Sequence, residues 1–547
     1  MPDVDTAKPK NPSTVTRFAA MSALMAVALL PMAQPAVASP HEPPEAPTLS
    51  VDGGRYEESV SVRLNAAPGE TIRYTTDGTI PTKASPTFAG KPIQITEDMN
   101  LTARAFKGSQ PGAVSSEGYL IRNGERPIAR FMIMSDVHVG DYEGDRKRWA
   151  SYFDTIKNVL GTPDAILSNG DMINDNWNGR GQDHKIVQRI FAENLERKGM
   201  GDTQVFMSYG NHDATLAELR AGYPKEWFPD SGGGYYRTEV NGVPMITVNT
   251  ENYSTQQGAW LREQLTGITA DPGYRDLPVI IQGHRPTPGT VMDGQQTSNP
   301  RLTQDLSAFP QAIYFSGHSH LNLNDPRSIH QKSFTAVNDS SSSYIEIDHG
   351  YQMLTAEGQL ANRFETPTAQ AVAVEVYPGR TVINRINFNA DLHDIYTDGK
   401  WSANWQPPYL SDGTLAGEAW EVSTRGDSKK IVETFTYTDA NRNTSGPTWP
   451  QGQPVEAVAG EDGNLTLRIH QAADDEMVHH YRIRVTRDGS NDPVLDTKLA
   501  NRFDVVPAPS VLDVPLPVKR DGSSFRAEVI AVDAQGNTSP ATVRAIA

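Results

Sequence analysis

The 547-residue sequence predicts a multidomain chain, a central α/β domain flanked by small all-β sandwich domains. Three observations carry that expectation. A chain of this length divides into about three domains on the usual length prior. Short segments of alternating apolar and polar residues, separated by turn residues, fill residues 47–122 and 435–547 and read as sandwich strands. Between them, apolar strand-like runs alternate with stretches of helical spacing, the pattern of an α/β domain.

The first residues read as an export signal. Lys8, Lys10 and Arg17 precede the apolar run Phe18 to Leu30, and Ala36-Val37-Ala38 offers the small-x-small pattern that signal peptidases cut. Residues 1–38 are therefore expected to be removed after Ala38 and the protein to be secreted. The run is too short to span a membrane. Residues 39–46 form a proline-rich linker, and Val60, Val62 and Leu64, then Ile72 and Tyr74, then Leu101, Ala103 and Ala105 set out the apolar faces of successive strands.

From residue 127 the α/β texture begins. Ile128 to Met134 is an apolar strand and Arg148 to Leu160 a helix; Ala165 to Leu167, Val205 to Met207 and Pro278 to Ile281 are further strands. Gln256 to Leu265 has helical spacing of Trp260, Leu261 and Leu265. The domain is expected to end near residue 395, after a hairpin of Val372 to Val376 and Val382 to Ile386 turning at Pro378-Gly379. Residues 396–434 read as a connector, and Leu465 to Ile469, Tyr481 to Val485 and Phe525 to Val532 as strands of the last domain. His479-His480 in that domain reads as structural or surface.

Composition excludes several classes of function. There is no cysteine, so disulfides, thiolate metal ligands and a cysteine nucleophile are ruled out. The 49 basic and 66 acidic residues give a net charge of −17 with no basic tract, which argues against nucleic-acid scaffolds and anionic membranes as partners. Any metal must sit among His, Asp, Glu, Asn or backbone donors, a shell suited to Mn, Fe or Zn.

Five short stretches place such donors just beyond an apolar strand. They are Asp136-Val137-His138, Gly170-Asp171, Gly210-Asn211-His212-Asp213, Gly283-His284 and Gly317-His318-Ser319-His320. Singly, each has an ordinary explanation, since Asp or Asn at a strand end often caps the next helix. Side chains at i and i+2 of an extended segment share a side, which lets His318 and His320 converge on one object.

In this order the five motifs resemble the calcineurin-like metallophosphoesterase superfamily, and GYYRTEV (234–240) and AWLREQL (259–265) fall in the intervening places. The resemblance covers most of residues 127–390. It implies a four-layer αββα double β-sandwich with the ligands on loops at one edge. It further implies two divalent ions, one held by Asp136, His138 and His320, the other by Asn211, His284 and His318, with Asp171 bridging. A metal-activated water would attack phosphorus in line. His212 would protonate the leaving oxygen, with Asp213 orienting its ring, and Arg285 would hold a phosphate oxygen unless it is merely a salt-bridge partner.

The flanks carry their own resemblances. IRYTTDGTIPT (72–82) resembles the β module at the C-termini of chitobiases and β-hexosaminidases, which implies an accessory domain with carbohydrate or cell-wall contact as an analogy. AVDAQGNTSP (531–540) resembles the last strand and turn of fibronectin type III modules.

Two departures narrow the subfamily. Purple acid phosphatases carry a Tyr ligand soon after the bridging Asp, where this chain has Met172-Ile173-Asn174-Asp175; secreted nucleotidases carry Gly-Asn-His-Glu-Phe-Asp, where Asp213 is here followed by Ala214-Thr215. The expectation is a secreted phosphodiesterase. A phosphomonoesterase is the alternative, and a catalytically dead glycan-binding protein a third reading that the complete donor set disfavours.

Overall fold

The computed structural model describes residues 43–546, apart from 141–142, 175–180, 292–296, 349, 356–357, 363–364, 367, 389–394, 398–399, 403–411, 443, 461 and 503–506. The expected signal at 1–38 and part of the linker at 39–46 lie outside the described residues.

The central domain is built on two six-stranded sheets. Its strands are β1 (Ala129–Met134), β2 (Ala165–Ser168), β3 (Gln204–Met207), β4 (Tyr236–Val240), β5 (Val243–Thr247), β6 (Val279–Gln282), β7 (Ala312–Ser316), β8 (Ile329–Gln331), β9 (Thr335–Asn338), β10 (Ala369–Tyr377), β11 (Arg380–Phe388) and β12 (Trp420–Ser423). The first sheet runs β3-β2-β1-β10-β11-β12, with β1, β2 and β3 parallel and the rest antiparallel. The second runs β4-β5-β6-β7-β9-β8, with β5, β6, β7 and β9 parallel.

Side-chain alternation turns these strands into layers. In the second sheet Met245, Ile280, Ile313, Phe315 and Val337 pack into the core shared with Phe131 and Ile133 of the first. Their neighbours Ile246, Val279, Ile281, Ala312 and Tyr314 face the opposite way, onto helix α3 (Thr255–Ala270). Ser254 caps that helix by accepting the Gln257 N–H at 3.1 Å, and Leu261, Leu265 and Ile268 form its apolar stripe. On the outer face of the first sheet lie α1 (Glu143–Leu160), burying Trp149, Tyr152, Phe153 and Ile156, and α2 (Asp183–Arg197), burying Val187 and Phe191. The result is the expected αββα stack.

The central domain extends past the expected boundary at 395. Residues Trp420–Ser423, assigned above to the 396–434 connector, pair antiparallel with β11 and complete the first sheet. A four-residue strand without an apolar run of its own carries no periodic signal, and the sheet edge recruits it through backbone pairing.

The flanking regions are β-rich. Before the central domain, strands 54–56, 71–75, 99–107 and 110–121 form a four-stranded sheet over a core of Val62, Ile72, Ile95, Leu101 and Tyr119. After it, a three-stranded and a four-stranded sheet enclose Leu467, Ile469, Tyr481, Ile483, Val514 and Val529.

Both flanking regions dock firmly. Arg122 and Arg55 converge on Glu375 of β10, whose carboxylate is fully buried, with Nε to carboxylate distances of 2.5 and 3.2 Å. Asn100 exchanges hydrogen bonds with the Leu415 backbone at 2.7 and 2.8 Å. Gln352 pairs with the edge strand of the last domain, donating its N–H to the Lys498 carbonyl and accepting from the Ala500 N–H, both at 2.8 Å. Arg327, Asp348 and His479 add an ion-paired cluster on the same side. Among the described residues no helix is long and apolar enough to cross a membrane.

Candidate metal centre

Parallel strands deliver their C-terminal ends to one edge of a sheet, and the donor motifs all occupy such ends. Asp136 and His138 follow β1, Asp171 follows β2, Asn211 to Asp213 follow β3, His284 and Arg285 follow β6, and His318 and His320 follow β7. The structure brings all of them together.

The first cluster contains Asp136, His138 and His320. Asp136 Oδ1 lies 3.1 Å from His320 Nε2 and 3.7 Å from His138 Nε2, and the two Nε2 atoms are 3.4 Å apart. His320 Nδ1 faces the Tyr344 carbonyl at 3.0 Å. A carbonyl only accepts, so Nδ1 carries a hydrogen, and in the neutral ring the Nε2 lone pair faces the cluster.

The second cluster centres on His284, which is fully buried. Its Nε2 lies 3.1 Å from Asp171 Oδ2, 3.0 Å from Asn211 Oδ1 and 3.1 Å from His318 Nδ1, while its Nδ1 faces the Asn169 carbonyl at 2.9 Å. The same tautomer logic applies. A third group, His138, Asp171 and His212, joins the two, with donor atoms all within 4.8 Å of one another.

With the rings neutral, lone pairs point at lone pairs in a buried space, an arrangement that repels unless positive charge lies at its centre. Protonation alone meets the demand unevenly. Burial opposes a charged His284, yet Asp171 and Asp136 push its pKa up to about 10. Burial and the His212 ring pull His138 down to about 3, and burial, His284 and Arg285 pull His318 down to about 2. Although burial works against ionisation, Asp136 and Asp171 are held below the usual carboxylate range by His320 and His284 respectively. A set of imidazole nitrogens, carboxylates and one amide oxygen fits divalent ions with mixed nitrogen and oxygen shells.

The backbone is strained at these positions. Among the described residues ten non-glycine residues have positive φ, and five of them are Asp136, His138, Asp171, His318 and His320, at 47° to 65°. Left-handed conformations cost energy for residues with a Cβ and persist where the surroundings enforce them. Close packing of the loops is part of that enforcement. A Cβ at Gly210 would collide with Asp171, and one at Gly317 with Ser135 and Asp136.

Asp213 departs from its expected role. Its carboxylate accepts backbone N–H groups from Gly210 (2.9 Å), Asp171 (2.8 Å), Met172 (2.9 Å) and Ile173 (3.4 Å), and does not orient the His212 ring. It staples the loop after β3 to the loop after β2. Burial pushes its pKa up to about 6. Immediately beyond, Thr215 and Glu218 form a capping box that starts a short helix and ends the loop.

His212 is half-buried, its ring edge-on to His138 at 4.8 Å between centroids. Arg285 is held between Glu251 and the donor set. Its Nε donates to Glu251 at 2.8 and 3.0 Å, while Nη2 reaches Asn211 Oδ1 at 3.0 Å and Nη1 lies 2.7 Å from His318 Nε2. It is salt-bridged, and it also lines the centre.

Sequence reading missed Glu251, Asp339 and Tyr344. Tyr344 lies against His320 with ring centroids 4.4 Å apart. Glu251 and Asp339 follow β5 and β9, so the signal that flagged the others, a polar residue beyond a parallel strand, was present in both.

Residues 51–116 match the family model described as chitobiase/β-hexosaminidase C-terminal domain, and residues 129–322 the one described as calcineurin-like phosphoesterase. No curated protein matches the chain. Solved structures similar to it include a purple acid phosphatase from yellow lupin (Lupinus luteus) seeds, at 12% identity over 73% of this chain and 78% of that one, TM-score 0.35. Another is a Thermus thermophilus protein, TT1561, at 10% identity over 40% of this chain and 92% of that one, TM-score 0.27. Residues 129–322 are a calcineurin-like phosphoesterase domain, and the chain that carries them is a metal-dependent phosphoric ester hydrolase.

Proposed function

We propose that this protein is a secreted phosphodiesterase working with two divalent transition-metal ions. The observation that carries the reading is the pair of buried donor clusters, Asp136 with His138 and His320, and Asp171 with His284 and His318, joined by a third group in which Asp171 meets His138 and His212. Asp136, His138 and His320 would hold one ion, Asn211, His284 and His318 the other, and Asp171 would contact both. Ions of this kind, when bound, acidify a water and polarise a phosphoryl oxygen. Mn, Fe and Zn all suit the donors.

The chain's own residues supply the rest. Tautomers of His284 and His320 are fixed by the carbonyls of Asn169 and Tyr344, which keeps their Nε2 atoms turned inward. His212 holds a proton for the leaving oxygen. Arg285, oriented by Glu251, presents its guanidinium to a phosphate oxygen.

Diester preference is supported by charge. A monoester carries close to −2 at neutral pH and a diester −1. The guanidinium of Arg285, which lines the centre, is already paired with Glu251. The Tyr ligand of purple acid phosphatases and the nucleotidase motif are also missing. Secretion is supported by the leader ending at Ala38. Carbohydrate contact through residues 51–116 is supported by the family match there, and a fibronectin type III-like character of 435–547 by its closing motif.

The test is a panel of phosphomonoesters and diesters assayed on metal-reconstituted residues 39–547. Higher kcat/KM on diesters is expected, with activity abolished by chelation and restored by Mn. Preference for monoesters would establish the alternative, and full activity after verified metal removal would end the metal reading.

A further inference from the structure

One buried carboxylate beneath the centre is left unused by this chemistry. Asp339 follows β9 and is fully buried, and its carboxylate is answered by neutral donors. Its Oδ1 accepts the Ser135 hydroxyl at 2.7 Å and its Oδ2 the Asn169 side-chain amide at 2.5 Å; its own backbone N–H donates to the Ser316 carbonyl at 2.8 Å.

Each partner sits beside a donor motif. Ser135 precedes Asp136. Asn169 lies two residues before Asp171, and its carbonyl receives His284 Nδ1. Ser316 lies two residues before His318. The chain then turns through Ser340 at φ 70°, which places Ser341 Oγ 3.2 Å from the Asp136 carbonyl. Three loops from two sheets thus meet on one residue.

We propose that Asp339 is a positioning residue that ties the loops after β1, β2 and β7 together and, through Asn169, fixes the His284 ring so that Nε2 is presented to a cation. The inference rests on the metal reading above. A buried carboxylate is a costly way to join loops, since hydrocarbon would pack there without desolvation. What it adds is direction: two acceptor oxygens demand donors at set angles, and the Asn169 amide that answers belongs to the residue whose carbonyl orients His284. The Asn169 carbonyl lies one hydrogen bond beyond His284, partners so placed typically govern metal affinity by about 10–100-fold, and Asp339 acts through it.

The experiment is calorimetric and EPR titration of the metal-free protein with Mn2+. In Asp339→Ala, Mn2+ binding at the His284 cluster should weaken by about 10–100-fold, and the coupled two-ion EPR signature should give way to that of a single ion. Asp339→Asn should keep most of the affinity. Its Oδ1 can still accept from Asn169, and its amide can donate to Ser135, whose hydroxyl can turn to the Ser340 carbonyl 3.3 Å away. Should Asp339→Ala fail to fold, Asn169→Ala removes the same tether while retaining the backbone carbonyl, and should show the same loss. Wild-type Mn2+ affinity in a folded Asp339→Ala or Asn169→Ala variant would overturn the proposal. Absence of Mn2+ binding in the wild-type protein would instead overturn the metal reading beneath it.

Discussion

The backbone N–H of His212 donates to Oδ1 of Asp171 at 2.7 Å. Asp171 Oδ2 meanwhile faces His284, so its two oxygens are committed to different sides of the centre. Its own N–H is held by Asp213, and its φ is 53°. Backbone and side chain of Asp171 are thus both fixed by their surroundings. Among alanine variants at Asp136, His138, Asp171, Asn211, His284, His318 and His320, Asp171→Ala should therefore show the lowest metal content and the lowest kcat/KM. A variant that retains two ions and near-normal turnover would remove Asp171 from the bridging role.

His212 sits beside the donors while its backbone anchors Asp171. If its imidazole supplies a proton to the leaving oxygen, His212→Asn should keep both ions and lose about 10²–10⁴-fold in kcat/KM on an alkyl ester. A nitrophenyl ester of the same phosphate leaves readily without a proton and should lose far less. Equal losses on the two substrates, with chemistry limiting both, would exclude the acid role.

Asp213 should behave differently, because its carboxylate serves backbone donors. Both oxygens accept N–H groups, so in Asp213→Asn either amide orientation turns an NH2 against N–H donors. Each unsatisfied buried group costs about 1–3 kcal/mol. Lower stability and weaker metal binding are expected, with no dependence on leaving group. Denaturant melts and the same ester pair check this, and a leaving-group-dependent loss in Asp213→Asn would restore it as the orienter of His212.

The donor residues were legible in the sequence because each lies within one to four residues of an apolar strand, and strand ends are what a parallel sheet gathers. What those residues do to one another was less legible. Asp213 looked like a partner for the adjacent His212, yet its carboxylate is turned toward residues 171 to 173, some forty positions away, and no local pattern encodes that. Glu251 and Asp339 are less legible because an acidic residue after a strand reads as a turn until a second element approaches it. Trp420–Ser423 carries no such signal, because a short edge strand is selected by backbone pairing with β11. The αββα architecture itself followed from resemblance, since alternating strands and helices alone allow one sheet or two.

The docking of the first β region makes a prediction about stability. Glu375 is buried on β10 and answered by Arg122 and Arg55, the former also bonded to Asp98 at 3.0 Å. Removing one member of a buried ion pair typically costs about 3–5 kcal/mol, because the remaining charge stays desolvated. Arg122→Ala should destabilise the folded chain by that order, as read from urea unfolding. Glu375→Gln combined with Arg122→Met should recover part of the loss. An unchanged unfolding midpoint in Arg122→Ala would mean that water reaches Glu375 and that the region is only loosely seated.

Asp339 offers a pH test that needs no metal. Burial pushes its carboxyl up to about 7; Asp136 adds to that, while the bonds from Ser135 and Asn169 and the charge of His284 oppose it. In the unfolded chain the same group titrates near about 3.9. Between those values the folded protein keeps a proton that the unfolded chain has released, so stability must fall as pH rises through that window and level off above it. One such proton changes stability by at most about 1.4 kcal/mol per pH unit. Asp339→Asn cannot titrate, and other groups contribute alike to both proteins. Subtracting the unfolding free energy of chelated Asp339→Asn from that of chelated wild type at pH 4.5, 5.5, 6.5 and 7.5 (about the window set by the two pKa values) should therefore give a difference that declines with pH and then flattens. A difference independent of pH would show that Asp339 is ionised throughout, held so by a stronger positive field than His284 supplies.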